Sequence, residues 1–280
     1  MLVAFLLFLR EGLEASLIIG ILMAVLRQLG QRDQIVTVWL GVGMAIVASI
    51  GLGIVLYITA GAFQGFLLTF KAITFLFAVI IMTWMTFWMQ QHSRTMKQEL
   101  LAKASVAGSG LALALLAFST VGREGVETVI FSLAFIFQTD GLSFIIGGVL
   151  GTLVAVGLGV MVYGFGYRLN YRVFFRVMGL LLMVLAAGLL SNTIQSLQSV
   201  GWLPFMEPLW NTGDMLSEVS GLGNILHTFL GYSDSPTLIQ VVGYLAYLLV
   251  AGGLFWWQTR KQPARTPAPV QREVVVESKA

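Results

Sequence analysis

Long apolar runs separated by short polar stretches dominate the chain, and the runs are too long for strands. Seven of them reach the roughly 20 residues that a bilayer core requires of a helix: about 2–27, 35–60, 66–90, 106–137, 143–167, 173–198 and 238–258. None alternates with the period of two that marks a barrel strand, and a helix satisfies its own backbone in lipid. The expected fold class is therefore an all-α polytopic membrane protein with seven transmembrane helices, a permease domain over about 1–258. The amino terminus has no Lys or Arg before Arg10, so the first run reads as a retained helix, not a cleavable signal peptide.

Composition agrees with this reading. Of the 280 residues 58% are hydrophobic and only 10% charged, against about one-quarter charged in soluble domains. Cysteine is absent, which excludes disulfides, thiolate metal sites and thiol redox chemistry.

Charge sets the expected orientation. Outside the apolar interior, the basic residues are Arg27 and Arg32; Arg94, Lys97 and Lys103; Arg168, Arg172 and Arg176; and Arg260, Lys261, Arg265, Arg272 and Lys279. All fall on one side of a seven-helix arrangement, and the positive-inside rule makes that side cytoplasmic. The amino terminus is then outside and the carboxyl terminus inside, in a multi-pass protein of the cytoplasmic (inner) membrane. The net charge of +3 follows from topology and implies no nucleic-acid partner. The opposite side is acidic: Asp140, Glu207, Asp214, Glu218 and Asp234 belong to external segments, most of them within an acidic stretch over about 199–237. That stretch suggests short helices at the membrane surface, with Asp214 and Glu218 as candidates for an external ion-attracting vestibule. Past Pro263 the chain is proline-rich and polar, so 259–280 is expected to be a disordered cytoplasmic tail.

Inside the apolar runs stand two copies of one pentad, Arg10-Glu11-Gly12-Leu13-Glu14 and Arg123-Glu124-Gly125-Val126-Glu127. The likeness extends further: Gly51-Leu52-Gly53-Ile54-Val55-Leu56-Tyr57 recurs as Gly157-Leu158-Gly159-Val160-Met161-Val162-Tyr163. Repeat one covers about 1–92 and repeat two about 104–198, three helices each. An odd number of crossings per repeat inverts one half relative to the other, and helix seven, about 238–258, is an addition. The pentads are then expected to meet near the bilayer midplane.

On a helix, positions three and four apart share a face. Each pair of glutamates thus projects together, and each arginine reaches the second glutamate one turn on. Gly12 and Gly125 leave room for a neighbouring helix or an ion. Six ionisable groups at the bilayer centre would cost about 15–20 kcal/mol if charged and facing lipid, more than the roughly 5–15 kcal/mol that holds a domain folded. They must pair, line a watery path or bind something. Two arginines against four glutamates leave a surplus of negative charge, which suits a cation. Carboxylates without Cys or His nearby favour a hard metal ion or protons.

REGLE in the first helix and REGVE in the fourth resemble the oxidase-dependent iron permeases, which include the bacterial Efe-type ferrous/ferric iron permeases. Thr83-Trp84-Met85-Thr86-Phe87-Trp88-Met89, and Gly231-Tyr232 with Pro236, extend the resemblance over about 1–258. The resemblance implies high-affinity iron uptake, with Glu11, Glu14, Glu124 and Glu127 as iron ligands and Arg10 and Arg123 orienting or neutralising them. Iron would be the transported ion, with no tightly bound cofactor. An external iron-oxidising or iron-delivering protein would be the partner, alongside iron ions and membrane lipids. The chain departs from the family's pattern at Leu68 and Lys71, where an acidic pair is usual, and at Asn211, where an aspartate is usual.

Other features have plainer readings. Met82, Met85 and Met89 form a packing face. Trp84, Trp88, Trp256 and Trp257 read as an aromatic belt near the inner helix ends, and His92 and His227 as ordinary polar residues. Ser191, Asn192, Thr193 and Gln195 suit either a path lining or interhelical hydrogen bonds. The competing functions are a proton-coupled carrier of another divalent metal, an intramembrane enzyme and a non-transporting subunit that docks a redox protein. No HExxH or GxSxG motif supports the enzyme.

Overall fold

The computed structural model of the chain describes residues 1–28, 30–62, 67–92, 102–103, 109–136, 138, 140–164, 171–218 and 220–260. The expected disordered tail beyond residue 260, and Arg94, Lys97 and Arg168 of the basic loops, lie outside the described residues. Among the described residues the regular elements are helices: α1 (Leu2–Gln28), α2 (Ile35–Ala62), α3 (Leu67–His92), α4 (Gly110–Ile136), α5 (Gly141–Gly164), α6 (Tyr171–Val200), a short α7 (Gly221–Leu230) and α8 (Leu238–Arg260). A 3₁₀ turn over Arg32–Gln34 precedes α2, and one isolated antiparallel bridge joins Pro208 to Thr237.

Polar caps set several helix ends. Asp140 Oδ2 accepts from the Ser143 N–H at 3.0 Å and starts α5. Ser220 Oγ accepts from the Gly223 N–H and starts α7, which Gly231 ends in the left-handed conformation at φ 67°. At the start of α8 the Gln240 side chain reaches back and accepts from the Thr237 N–H at 2.7 Å. Each device satisfies backbone groups that a helix terminus leaves open.

Five helices, α2, α3, α5, α6 and α8, are long and apolar enough to cross a membrane. The two pentad helices, α1 and α4, match them in length but carry three charges each in their interior. α2 exposes Val36, Leu40, Met44, Val47, Ile54 and Ile58, and α8 exposes Val242, Leu245, Leu249 and Leu254. Apolar faces of this extent exceed what a soluble surface carries and suit lipid contact.

Each pentad helix pairs closely with a helix that runs parallel to it. Along α1 and α5, Gly147 lies against Ala4, Gly12 against Ala155 and Gly159 against Ser16; along α4 and α2, Gly41 lies against Ala114, Gly125 against Ser49 and Gly53 against Val129. Small residues at every crossing let the backbones approach. A Cβ built on Gly12 would stand 2.7 Å from Ala155 Cβ, and one on Gly125 would stand 2.8 Å from Ser49 Cβ. α3 packs along α6, and α6 also meets α7 and α8.

Among the described residues two large apolar clusters flank the pentads, and a small third one joins Met183 of α6 to Ala251 and Phe255 of α8. The first joins Val3 and Leu7 of α1 to Phe75 and Met82 of α3, Phe131 and Phe135 of α4, and Leu185 and Leu189 of α6. The second joins Ile18, Leu22 and Leu26 of α1 to Val38 and Val42 of α2 and to Leu113, Ala117 and Val121 of α4. On α1 and α4 alike the pentad lies between the residues given to one cluster and those given to the other. Because residues 3–7 meet 131–135 while 18–26 meet 113–121, the two pentad helices run antiparallel and cross at their charged segments.

Candidate carboxylate site

The crossing of α1 and α4 brings the pentads together. Arg10, Glu11, Glu14, Glu124 and Glu127 are all buried, at 2, 3, 4, 6 and 8% exposure. Glu11, Glu14 and Glu124 each offer a carboxylate oxygen, and these oxygens lie within 4.8 Å of one another. Helix α1 thus supplies two members of the cluster three residues apart, and α4 supplies the third from across the crossing. The fourth predicted glutamate, Glu127, stands beside this group and is held by Arg123.

The expected arginine contacts occur in both pentads. Arg10 Nη1 donates to Glu11 Oε1 at 2.7 Å, and Arg10 Nε lies 3.1 Å from Glu14 Oε1. The second approach is an ion pair outside hydrogen-bond geometry, so Glu14 Oε1 keeps its acceptor capacity. Arg123 Nε donates to Glu127 Oε1 at 2.9 Å, the same i, i+4 step. Glu124 belongs to no ion pair among the described residues.

Burial leaves an unusual residue of open acceptors. Glu11 Oε2, Glu14 Oε1, Glu124 Oε2 and Glu127 Oε2 are buried without a hydrogen-bond partner, one oxygen from every pentad glutamate. Buried polar atoms are nearly always satisfied, and buried carboxylate oxygens without hydrogen bonds, three of their residues gathered within 4.8 Å, make a cation-seeking environment. The donors are all hard oxygens, which suit a hard cation, and the arrangement has neither thiolate nor imidazole within it.

The structure adds two residues that the sequence did not assign to the site. Arg10 Nη2 donates to Met89 Sδ at 3.7 Å, and the Arg123 guanidinium carbon stands 4.3 Å from the centroid of the Trp88 ring. Met82, Met85 and Met89 are buried as the packing face requires, but Met89 also seats an arginine. Trp84, Trp256 and Trp257 are exposed as belt residues would be. Trp88 instead stacks on Trp84, 6.2 Å between centroids, and lies under Arg123. Helical spacing placed these residues near the inner end of α3 but carried no sign of which neighbour they face.

Asp214 and Glu218 take different roles in the external segment. Asp214 is exposed. Glu218 is tied into the fold: its Oε1 accepts from the Asp234 N–H at 3.0 Å, and its own N–H donates to Asp234 Oδ2 at 3.3 Å. His227 Nδ1 lies 2.7 Å from the Tyr232 carbonyl and 3.8 Å from Glu218 Oε2, a structural position for an ordinary polar residue. Asn211 turns its Oδ1 to the Gly213 N–H at 2.8 Å. Of the polar stretch late in α6, Ser191, Asn192 and Thr193 are buried and Gln195 is exposed. Asn192 Nδ2 donates to Gln138 Oε1 at 2.9 Å, a link from α6 to the segment after α4. Leu68 is exposed at the start of α3.

Comparison with known proteins gives a consistent result. The iron permease FTR1 family matches residues 1–262. The ferrous iron permease EfeU of Escherichia coli O6:K15:H31 is 36% identical over 258 residues, covering 90% of this chain and 94% of the relative. The same match is found for the ferrous iron permease EfeU of Shigella sonnei, 36% identical over 258 residues. The ferrous iron permease EfeU of Yersinia pestis is 36% identical over 267 residues, covering 93% of this chain and 95% of the relative. No solved structure matches the chain.

Proposed function

The chain belongs to the iron permease FTR1 family, and from that premise we propose that it carries iron across the cytoplasmic membrane through a midplane site built from its two pentads. Glu11, Glu14, Glu124 and Glu127 are the ligands; Arg10 and Arg123 balance part of their charge; Gly12 and Gly125 let α5 and α2 close against the site. The observation that carries this reading is the set of four buried carboxylate oxygens that accept no hydrogen bond, one from each glutamate. An ion supplies what they lack.

The proposed scaffold is seven membrane-spanning helices, α1–α6 and α8, the first six as two inverted repeats. The packing supports it. The pairs Gly12 with Ala155 and Gly125 with Ser49 are counterparts under the repeat, as are Gly159 with Ser16 and Gly53 with Val129. Exchanging the halves turns the α1–α5 pair into the α4–α2 pair. Parallel running within each pair and antiparallel running between α1 and α4 are what inversion requires. With basic loops inside, the first apolar cluster closes the site toward the outer face and the second closes it toward the cytoplasm. Iron passes when one cluster parts while the other stays shut.

The relatives' names specify ferrous iron. We infer that a protein at the outer face oxidises or delivers the ion before it enters, since a donor set of carboxylates alone favours the harder ferric form. Asp214 is an exposed acid of the external segment that could attract it. Proteoliposomes holding the purified chain test the whole reading. Uptake of labelled iron, supplied as ferrous ion with and without an external oxidant, is expected to depend on Glu11 and Glu14. Equal uptake by Glu11→Gln, or competition by manganese and zinc as strong as by unlabelled iron, would refute it.

A further inference from the structure

The two pentads are copies in sequence, yet their arginines are seated unequally, and both seats lie on one step of α3. Arg10 is 2% exposed and has Glu11, Glu14 and Met89 Sδ around it. Its charge is shared between two carboxylates of its own helix. Arg123 has a side chain 37% exposed, one carboxylate partner, Glu127 Oε1 at 2.9 Å, and the face of Trp88 at 4.3 Å. Trp88 and Met89 are consecutive, so a single turn of α3 touches the arginine of each pentad.

We propose that Trp88 is a positioning residue for ion binding: its ring holds the Arg123 guanidinium when Glu127 releases it to take the ion. This deepens the iron-site reading above and rests on it. The open Oε2 of Glu127 meets the ion first, and for the carboxylate to chelate the ion through both oxygens Oε1 must give up its bond from Arg123 Nε; the freed guanidinium then needs a partner in apolar surroundings. An aromatic face is such a partner, and arginine stacks on it readily. The attraction is small while the carboxylate neutralises the guanidinium and larger once the charge is bare and desolvated. The ring therefore favours the released arrangement, in which Glu127 is free to bind. Arg10, locked by two carboxylates, stays in place as the fixed counter-ion. The ion displaces one arginine and leaves the other.

The test is calorimetric titration of the purified full chain with ferrous iron under reducing conditions, on wild type, Trp88→Leu, Trp88→Phe, Arg123→Gln and the double variant Trp88→Leu/Arg123→Gln. Loss of the ring is expected to weaken binding about fivefold to tenfold in Trp88→Leu, the difference between a bare and a neutralised cation on an aromatic face. Trp88→Phe, which keeps a π face, recovers part of the affinity. Arg123→Gln, with the competitor for Glu127 gone, binds at least as tightly as wild type, and on that background Trp88→Leu changes nothing. A packing role for Trp88 would instead lower affinity to the same degree with or without Arg123. Unchanged affinity in Trp88→Leu, an equal loss on both backgrounds, or loss of binding in Arg123→Gln overturns the proposal while leaving the iron reading intact. Wild-type protein that binds neither ferrous iron nor ferric iron supplied as a citrate chelate overturns that reading and the proposal with it.

Discussion

Replacing Glu124 by Gln separates what the carboxylate cluster does for ion binding from what it does to the fold. Glu124 is the pentad glutamate outside every ion pair among the described residues, and it is buried beside Glu11 and Glu14 with oxygens within 4.8 Å. The substitution keeps shape and removes one unit of charge. At an effective dielectric of about 20, a unit charge at that separation interacts by about 3.5 kcal/mol. A cation seated among the three carboxylates sits closer than that to each, so the figure is a floor for the attraction lost. It corresponds to a rise of about three hundredfold in half-saturating concentration, enough to abolish high-affinity uptake. For the empty protein the sign reverses, because removing a like charge from the cluster relieves repulsion. Uptake in proteoliposomes should therefore fall, while the thermal unfolding midpoint of the purified protein holds or rises. Wild-type half-saturation in Glu124→Gln would refute the assignment. A midpoint lowered by several degrees would refute the electrostatic reasoning and make Glu124 a structural residue.

Arg10→Gln should do the opposite to stability: it strips the counter-ion from two buried carboxylates, a loss of about 3–5 kcal/mol, visible as a sharp drop in folded protein recovered from membranes. Gly125→Ala should destabilise by about 1–3 kcal/mol through overpacking against Ser49, and Ser49→Gly in the same chain should restore the midpoint. Asp214→Asn should leave the unfolding midpoint unchanged and slow uptake at low ionic strength, as expected of an exposed steering charge. Glu218→Ala should instead lower the midpoint, because it removes the acceptor of the Asp234 N–H.

The long helices were legible because an apolar run of membrane length has few alternatives to a helix. Their ends were less so. The fourth helix begins at Gly110, where Ser109 Oγ accepts from the Ala112 N–H. The fifth begins at Gly141, two residues earlier than the apolar pattern suggests, because Asp140 caps it. A cap is a local hydrogen bond, and hydropathy does not register it. The i, i+4 arginine contacts of both pentads followed directly from helix geometry. The seats of those arginines did not, because Trp88 and Met89 reach them across a helix interface that periodicity along α3 cannot define. Glu218 shows the same limit: its place in an external acidic segment carried no sign that its Oε1 accepts from the Asp234 N–H sixteen residues on.

The fold also explains why charges can sit at this depth at all. Small residues at the α1–α5 and α2–α4 crossings bring the helices of each pair within backbone distance, and the four pentad glutamates with Arg10 are buried between the helices. Apolar clusters flank the site on both sides along α1 and α4. The first cluster takes Phe75, Ala78, Met82 and Met85 from α3, and the next residues of that helix, Trp88 and Met89, seat Arg123 and Arg10. Any movement of α3 that parts the first cluster must therefore also shift the arginines against the glutamates. In the proposed transport cycle, opening the site and freeing its ligands would be one motion of one helix, and the second cluster, to which α3 contributes no residue, would stay closed meanwhile.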